Sequence, residues 1–198
     1  MKYPLLARPA FLLFCGLLGS SLTSLAQAQT EAPLFSADGY RLSLYRSPTP
    51  AQIDYGQTLD TAALQQLLRE QPRTRLIDVY RRPWRHGQFI EDEVHANLPG
   101  SLWLANTGDG ELSSQWQDYF SHHLQQASHG DKGWPLVFYC RSDCWLGWNA
   151  VKRAHHLGYT NLYWYRDGID AWQQAGLPLV PAQPAELPAS LRSLHAAP

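Results

Sequence analysis

The apolar positions along this chain alternate between short unbroken runs and helical spacing, and the sharpest change falls within residues 134–158. Leu136, Val137, Phe138 and Tyr139 form a continuous run rich in β-branched and aromatic residues, which predicts a buried strand over 134–139. The run stops at Cys140. From Trp145 onward Gly147, Ala150, Val151, Ala154 and Leu157 recur at helical spacing, until Gly158 supplies the residue best suited to a left-handed stop. Only Arg141, Ser142 and Asp143 separate Cys140 from Cys144, so a strand, a cysteine turn and a helix follow one another without a linker.

The remaining pattern supports that unit. Leu64, Leu67 and Leu68 share a face of a helix running through Glu70, with Asp60 or Thr61 as its cap. Residues 76–79 predict a short buried strand with Asp78 inside it; a carboxylate there must be hydrogen-bonded or paired, so Asp78 is expected to fix a loop. Residues 80–86, YRRPWRH, form a basic and aromatic loop, followed by an acidic surface stretch over 91–93. A turn at 98–100, a strand over 101–104 and a loop over 106–110 come next. Trp116, Tyr119, Phe120 and Leu124 mark a helix over 113–126, residues 161–165 another strand, and Ile169 and Trp172 the inner face of a helix over 168–174 ended by Gly176 and Pro178. Alternation of short apolar strands with helices predicts an α/β domain over 59–180 with a mainly parallel central sheet flanked by helices. Residues 29–58 lack a strong period and read as an N-terminal extension over the domain, with one short strand within 40–45. Residues 181–198, with four prolines, read as a flexible tail.

The first 28 residues stand apart. Lys2 and Arg8 precede an apolar stretch over 10–18 and a small-residue end at Ala26, Gln27 and Ala28, the pattern of a secretory signal peptide cleaved after Ala28. The mature chain is therefore expected in the periplasm, with no membrane segment, since the apolar run is short for a span. Of 16 basic and 17 acidic residues, Lys2 and Arg8 leave with the signal, giving 14 against 17 and arguing against a sequence-independent grip on nucleic acid.

Export gives the cysteines meaning. Cys15 is lost, and Cys140 and Cys144 are the two that remain. Nearby thiols in an oxidising compartment are expected to pair. So small a ring removes little unfolded-state entropy, which lowers its value as a staple and raises that of a chemical role. A helix starting at the turn points N–H groups and a positive dipole end at the sulfur, so Cys140 is the expected nucleophile and Cys144 the resolving thiol. Arg141, Ser142, Asp143 and Trp145 complete an anion cradle, with Trp145 able to stack on a planar ligand. Ligands of open parallel sheets sit at strand carboxyl ends, which makes Arg81, Arg82, Trp84 and Arg85 a ligand rim. No metal site is expected: His122 and His123, like His155 and His156, are neighbours on a helix and face different ways. A phosphatase would need an arginine closing the loop, whereas Lys152 and Arg153 lie two turns on, roughly 10 Å away. Haem attachment would need a histidine where Trp145 stands.

The stretches LIDV at 76–79, HANLPGS at 95–101, PLVFYCRSDC at 135–144 and GYTNLYWYRDGIDAWQQAGLPL at 158–179 together resemble the rhodanese-like sulfurtransferases, with Asp167 replacing the first glycine of a terminal glycine pair. That resemblance implies the rhodanese fold with Cys140 in the place of the sulfur-carrying nucleophile. Over nearly the whole mature chain, the GYR and YRSPTP segments within 39–50, Trp145 after the cysteines, Trp148 with Asn149, and TNLYWYRDGIDAW are similar to the PQQ-dependent catabolism-associated CXXCW motif proteins, although three residues rather than two separate the cysteines. This second resemblance implies an association with periplasmic quinoprotein alcohol dehydrogenases, and pyrroloquinoline quinone (PQQ) as an associated rather than required cofactor. Three functions follow: a thiol–disulfide or sulfur-passing protein of that setting; a non-enzymatic binder of an anionic cofactor or partner with a permanent disulfide; or a thiosulfate-type sulfurtransferase.

Overall fold

A computed structural model of the chain describes residues 33–189. The signal peptide expected over 1–28, with its cleavage point after Ala28, lies outside the described residues. No helix among the described residues is long and apolar enough to cross a membrane.

Five strands form one sheet: β1 (Gln57–Leu59), β2 (Arg75–Asp78), β6 (Leu102–Trp103), β7 (Leu136–Tyr139) and β8 (Leu162–Tyr165), in the order β1-β8-β7-β2-β6. All four pairings are parallel. Strand β7, the one that ends at Cys140, is the middle strand, and all four of its residues are buried because both sheet faces are covered. Leu136 and Phe138 point to one side, where they pack with helices α2 (Ser114–Ala127) and α3 (Trp145–His156) through Tyr119, Phe120, Leu124, Leu146, Val151 and Ala154. Val137 and Tyr139 point to the other, against α1 (Thr61–Glu70) and α4 (Gly168–Gln174) through Leu64, Leu67, Ile169 and Trp172. The result is the three-layer α/β arrangement that the alternation of the sequence predicts.

The caps follow local chemistry. Asp60 takes the N-cap of α1 and its side chain accepts from the Ala63 N–H at 2.8 Å. Gly158, at φ 87°, stops α3 where a side chain would be strained.

Three parts of the chain differ from the sequence reading. The end of the N-terminal extension contributes β1, an edge strand whose three residues are too few to show a period. Earlier in that extension, residues 40–45 form no strand; two isolated bridges, Phe35 with Arg41 and Arg46 with Cys144, stand there instead. The basic loop contains a small antiparallel pair, β3 (Trp84–Arg85) with β4 (Gln88–Phe89). The tail expected to be flexible from 181 is docked as far as Leu187: β9 (Val180–Pro181) pairs antiparallel with β5 (Ala96–Asn97), Ala182 and Ala185 donate to the carbonyls of His95 and Trp103, and Leu187 is buried.

Candidate functional site

The cysteine turn leaves the centre of the sheet. Cys140 leaves β7, Asp143 turns the chain at φ 48°, and Cys144 is the N-cap of α3. An aspartate tolerates that left-handed conformation better than most residues. The two cysteines form a disulfide with Cα atoms 6.2 Å apart, inside the range of about 4.4–6.8 Å that such bridges occupy. Both are nearly sealed from solvent, each at 2% exposure.

Two neighbours hold the turn from below. The Ile169 N–H donates to the Cys140 carbonyl at 3.0 Å, and Gly168 lies against the backbone of Cys140 and Arg141. Asp170 accepts from both the N–H and the hydroxyl of Ser142, at 3.0 and 2.8 Å, with the guanidinium groups of Arg141 and Arg46 at 3.6 and 3.7 Å. Nothing in local spacing marked Asp170, because its partner lies 28 residues away. Asp170→Ala removes the single oxygen, Oδ2, that accepts both bonds and is expected to cost about 1–2 kcal/mol in urea unfolding. Added to Ser142→Ala it should cost less than it does alone, since the two residues share those bonds.

The anion cradle expected over Arg141, Ser142, Asp143 and Trp145 is therefore largely filled by the protein. The Ser142 N–H goes to Asp170, and the Trp145 N–H donates to the Tyr45 carbonyl at 2.9 Å. The indole of Trp145, expected to face a planar ligand, is taken up by the chain itself. Phe35 meets it edge-on at 5.4 Å, the Arg41 guanidinium lies 5.0 Å from its centroid, and its Nε1–H donates to Ser47 Oγ and the Pro48 carbonyl.

The rim residues meet partners within the chain. Arg81 donates to Asp109 at 2.6 Å with its guanidinium over the Tyr45 ring, and its charge opposes the upward push that burial gives the Asp109 carboxyl. Arg82 is buried and donates to Asp92 and to the Glu93 carbonyl. Trp84 packs edge-on against Phe89 and Trp116, and Arg85 is exposed on the β3–β4 pair. A run of like charges reads as one surface in sequence, yet here Arg81, Arg82 and Trp84 are each drawn to a different acid or ring while Arg85 stays exposed.

Asp78, at the carboxyl end of β2, fixes the loop that follows. Its Oδ1 accepts from the Tyr80 N–H at 2.8 Å, and Oδ2 lies 2.6 Å from His95 Nε2. Burial raises the Asp78 pKa, and the hydrogen bond and charge of His95 oppose that rise. The imidazole stacks on Tyr80, whose ring in turn lies 5.4 Å beneath the Arg141 guanidinium, so the pair buttresses the cysteine turn from the side.

Above the turn, Asn149 was visible in the sequence only as part of a resemblance. It is fully buried on α3, accepts from the Arg41 N–H, and donates to the carbonyls of Arg41 and Gly108. Arg153, one helical turn further, spends its guanidinium on the carbonyls of Thr107, Asp109 and Gly110 and is thereby unavailable to the cysteine turn. Among the described residues no group of three or more His, Cys, Asp and Glu side chains is placed to hold a metal ion.

A buried disulfide thus lies at the strand carboxyl ends of an α/β domain, on the loop after the middle strand of a parallel, helix-covered sheet. The chain belongs to the Rhodanese-like domain family, whose model matches residues 60–175. Among curated proteins none matches the chain. Solved structures similar to it include a thiosulfate sulfurtransferase from Pseudomonas aeruginosa, at 14% identity and TM-score 0.48, covering 71% of this chain and 24% of that one. The chain is thus comparable to about a quarter of that enzyme's length. A polysulfide-sulfur transferase homodimer from Wolinella succinogenes is similar at 19% identity and TM-score 0.43, covering 64% of this chain and 79% of that one. A 3-mercaptopyruvate sulfotransferase from Escherichia coli is similar at 18% identity and TM-score 0.45, covering 66% and 53%.

Proposed function

We propose that this is an exported rhodanese-like protein whose Cys140 and Cys144 cycle between disulfide and dithiol, or pass sulfur, in support of PQQ-dependent alcohol oxidation. The observation that carries the redox reading is the disulfide itself, closed within one turn in the loop that follows the central strand. A persulfide on Cys140 would be open to attack by Cys144, releasing sulfide and leaving the disulfide, so stable sulfur carriage is less natural here than in a loop with one cysteine.

In the exchange step an incoming thiolate attacks the Cys140 sulfur, the Cys140–Cys144 bond breaks, and the electron pair goes to the Cys144 sulfur. Cys144 is the N-cap of α3, where the helix N-terminus favours a thiolate. A second thiol of the reductant then attacks the mixed disulfide, leaving the reductant oxidised and Cys140 and Cys144 both reduced. The quinone enters as the cofactor of a partner dehydrogenase. Pyrroloquinoline quinone is a tricarboxylate, and Arg81 and Arg82 already answer to Asp109, Asp92 and the Glu93 carbonyl, so no step is routed through it on this chain.

The reduction potential of the pair tests the redox reading. A working couple is expected above about −300 mV, whereas a value below it marks a permanent bridge and removes this function. The sulfur-passing version predicts transfer from thiosulfate to cyanide that Cys140→Ser abolishes. The setting predicts that loss of the protein slows growth on alcohols and spares growth on sugars. Export predicts a periplasmic product whose mass begins after Ala28.

A further inference from the structure

The chain's own N-terminal segment is bonded across the cysteine turn. Residues 42–52 span from Arg41, whose backbone Asn149 clamps, to Ile53, which is buried in the core, and between these anchors none of the eleven positions is buried. The span is held over the turn by main-chain bonds, from the Trp145 N–H to the Tyr45 carbonyl at 2.9 Å and from the Ser47 N–H to the Asp143 carbonyl at 3.0 Å, and by the bridge between Arg46 and Cys144. Ser47 is its hub. The Ser47 hydroxyl accepts from Trp145 Nε1 at 3.1 Å and from Arg41 Nη2 at 3.3 Å, and donates to the Leu44 carbonyl at 2.7 Å. Leu44 itself is 66% exposed at φ 49°, a conformation that a leucine adopts at a cost.

These observations separate what is firmly anchored from what is not. The ends of the span are fixed by buried groups; in its middle Tyr45 packs against the core and its hydroxyl accepts from the Gly110 N–H, while the other residues are held to the cysteine turn by polar bonds and include the strained Leu44, a profile that permits local opening. Below it, sulfurs of cysteines at 2% exposure are out of reach of an attacking thiolate. We propose that residues 42–52 are a lid over the Cys140–Cys144 disulfide, latched by Ser47 to Trp145, and that thiol exchange proceeds through the lid-open state. The inference rests on reading the pair as a working couple only for its purpose. The equilibrium potential tests that reading, and the rate of reduction tests the lid, so either can fail alone.

The experiment follows reduction of the oxidised mature chain by excess dithiothreitol, which becomes its cyclic disulfide, with thiols counted by alkylation and mass. Ser47→Ala and Trp145→Phe remove the latch from its two sides, the second keeping an aromatic ring in place. Each is expected to speed reduction about tenfold, the effect of one hydrogen-bond network, while lowering unfolding stability by no more than that tenfold, about 1.4 kcal/mol, and leaving the fold intact. The double variant is expected to be faster than wild type by less than the product of the two single effects, because both lose the Trp145–Ser47 bond while only one loses the bond to the Pro48 carbonyl. Equal rates in wild type and in both variants would overturn the lid, as would a wild-type rate matching that of oxidised glutathione. Should one variant lose its fold, seen by circular dichroism, the other decides the question by the same comparison.

Discussion

Replacing His95 by alanine is expected to lower unfolding stability at pH 7 by about 3–5 kcal/mol, the cost of leaving a buried charge without its partner. Asp78 has no exposure at all, and His95 Nε2, 2.6 Å from Oδ2, is the group that answers its charge. The ring also fills the space between Tyr80 and Trp103, with centroids 5.1 and 4.1 Å away, so its removal leaves a gap as well as an unpaired acid. The loss has a pH signature that a simple cavity lacks. Burial already raises the Asp78 pKa above its ordinary value of 3.8, and without His95 nothing of comparable strength opposes that rise. An acid whose folded pKa is raised favours the folded state in its protonated form. The penalty relative to wild type is therefore absent below the raised value that Asp78 has in the wild-type fold, grows as the pH rises above it, and levels off beyond the higher value that Asp78 has without His95. Urea unfolding of wild type and His95→Ala from pH 4 to 8 should show the two curves converging toward the acid end. A gap independent of pH would assign the loss to packing alone. Asp78→Asn in the His95→Ala background should recover part of the stability at pH 7 and remove the pH dependence.

Gly168→Ala is expected to cost about 2–4 kcal/mol, combining the strain of a side chain in the left-handed region with overlap against a fixed backbone. Gly168 has φ 59°, and a Cβ there would lie 2.6 Å from both the Cys140 carbonyl oxygen and the Arg141 carbonyl carbon. Neither is a flexible side-chain end that can move aside. Relief would have to come from the cysteine turn, breaking the bond from the Ile169 N–H to the Cys140 carbonyl. Gly176→Ala is the matched control, because φ is 70° and nothing lies within 4 Å of its Cβ position. It should cost about 1 kcal/mol from strain alone. The excess loss in Gly168→Ala, together with a shift in the potential of the disulfide, would measure how firmly α4 sets the geometry of the turn. Equal losses in the two variants would remove that role.

The parts of the fold that the sequence displays are those carried by neighbouring residues. The apolar run of β7, its end at Cys140, the helical spacing after Trp145 and the stop at Gly158 are local facts, and each appears where the pattern places it. The cysteine pair is equally local. What surrounds it is not: Asp170 reaches back 28 residues to Ser142, and Asn149 meets Arg41 at a separation of 108, so no period or motif links them. The basic loop shows the same limit, since composition reveals four potential ligand groups but not that Arg82 is buried among its own acids. The tail misleads for another reason. Prolines lack an N–H and demand few main-chain partners, so a proline-rich stretch can lie docked in extended form, as 181–187 does through Ala182, Ala185 and Leu187.

The docking of residues 42–52 across the cysteine turn also orders the assembly of the molecule. That segment is synthesised before the cysteines, yet it can settle only after β7 and α3 have created the surface on which Trp145 receives it. An oxidant needs the two sulfurs in the open, so the bridge is expected to form before that segment docks or while it is open. A chain whose segment settles before oxidation would keep its thiols hidden until the lid opens, so its late oxidation is expected to run at the rate of opening.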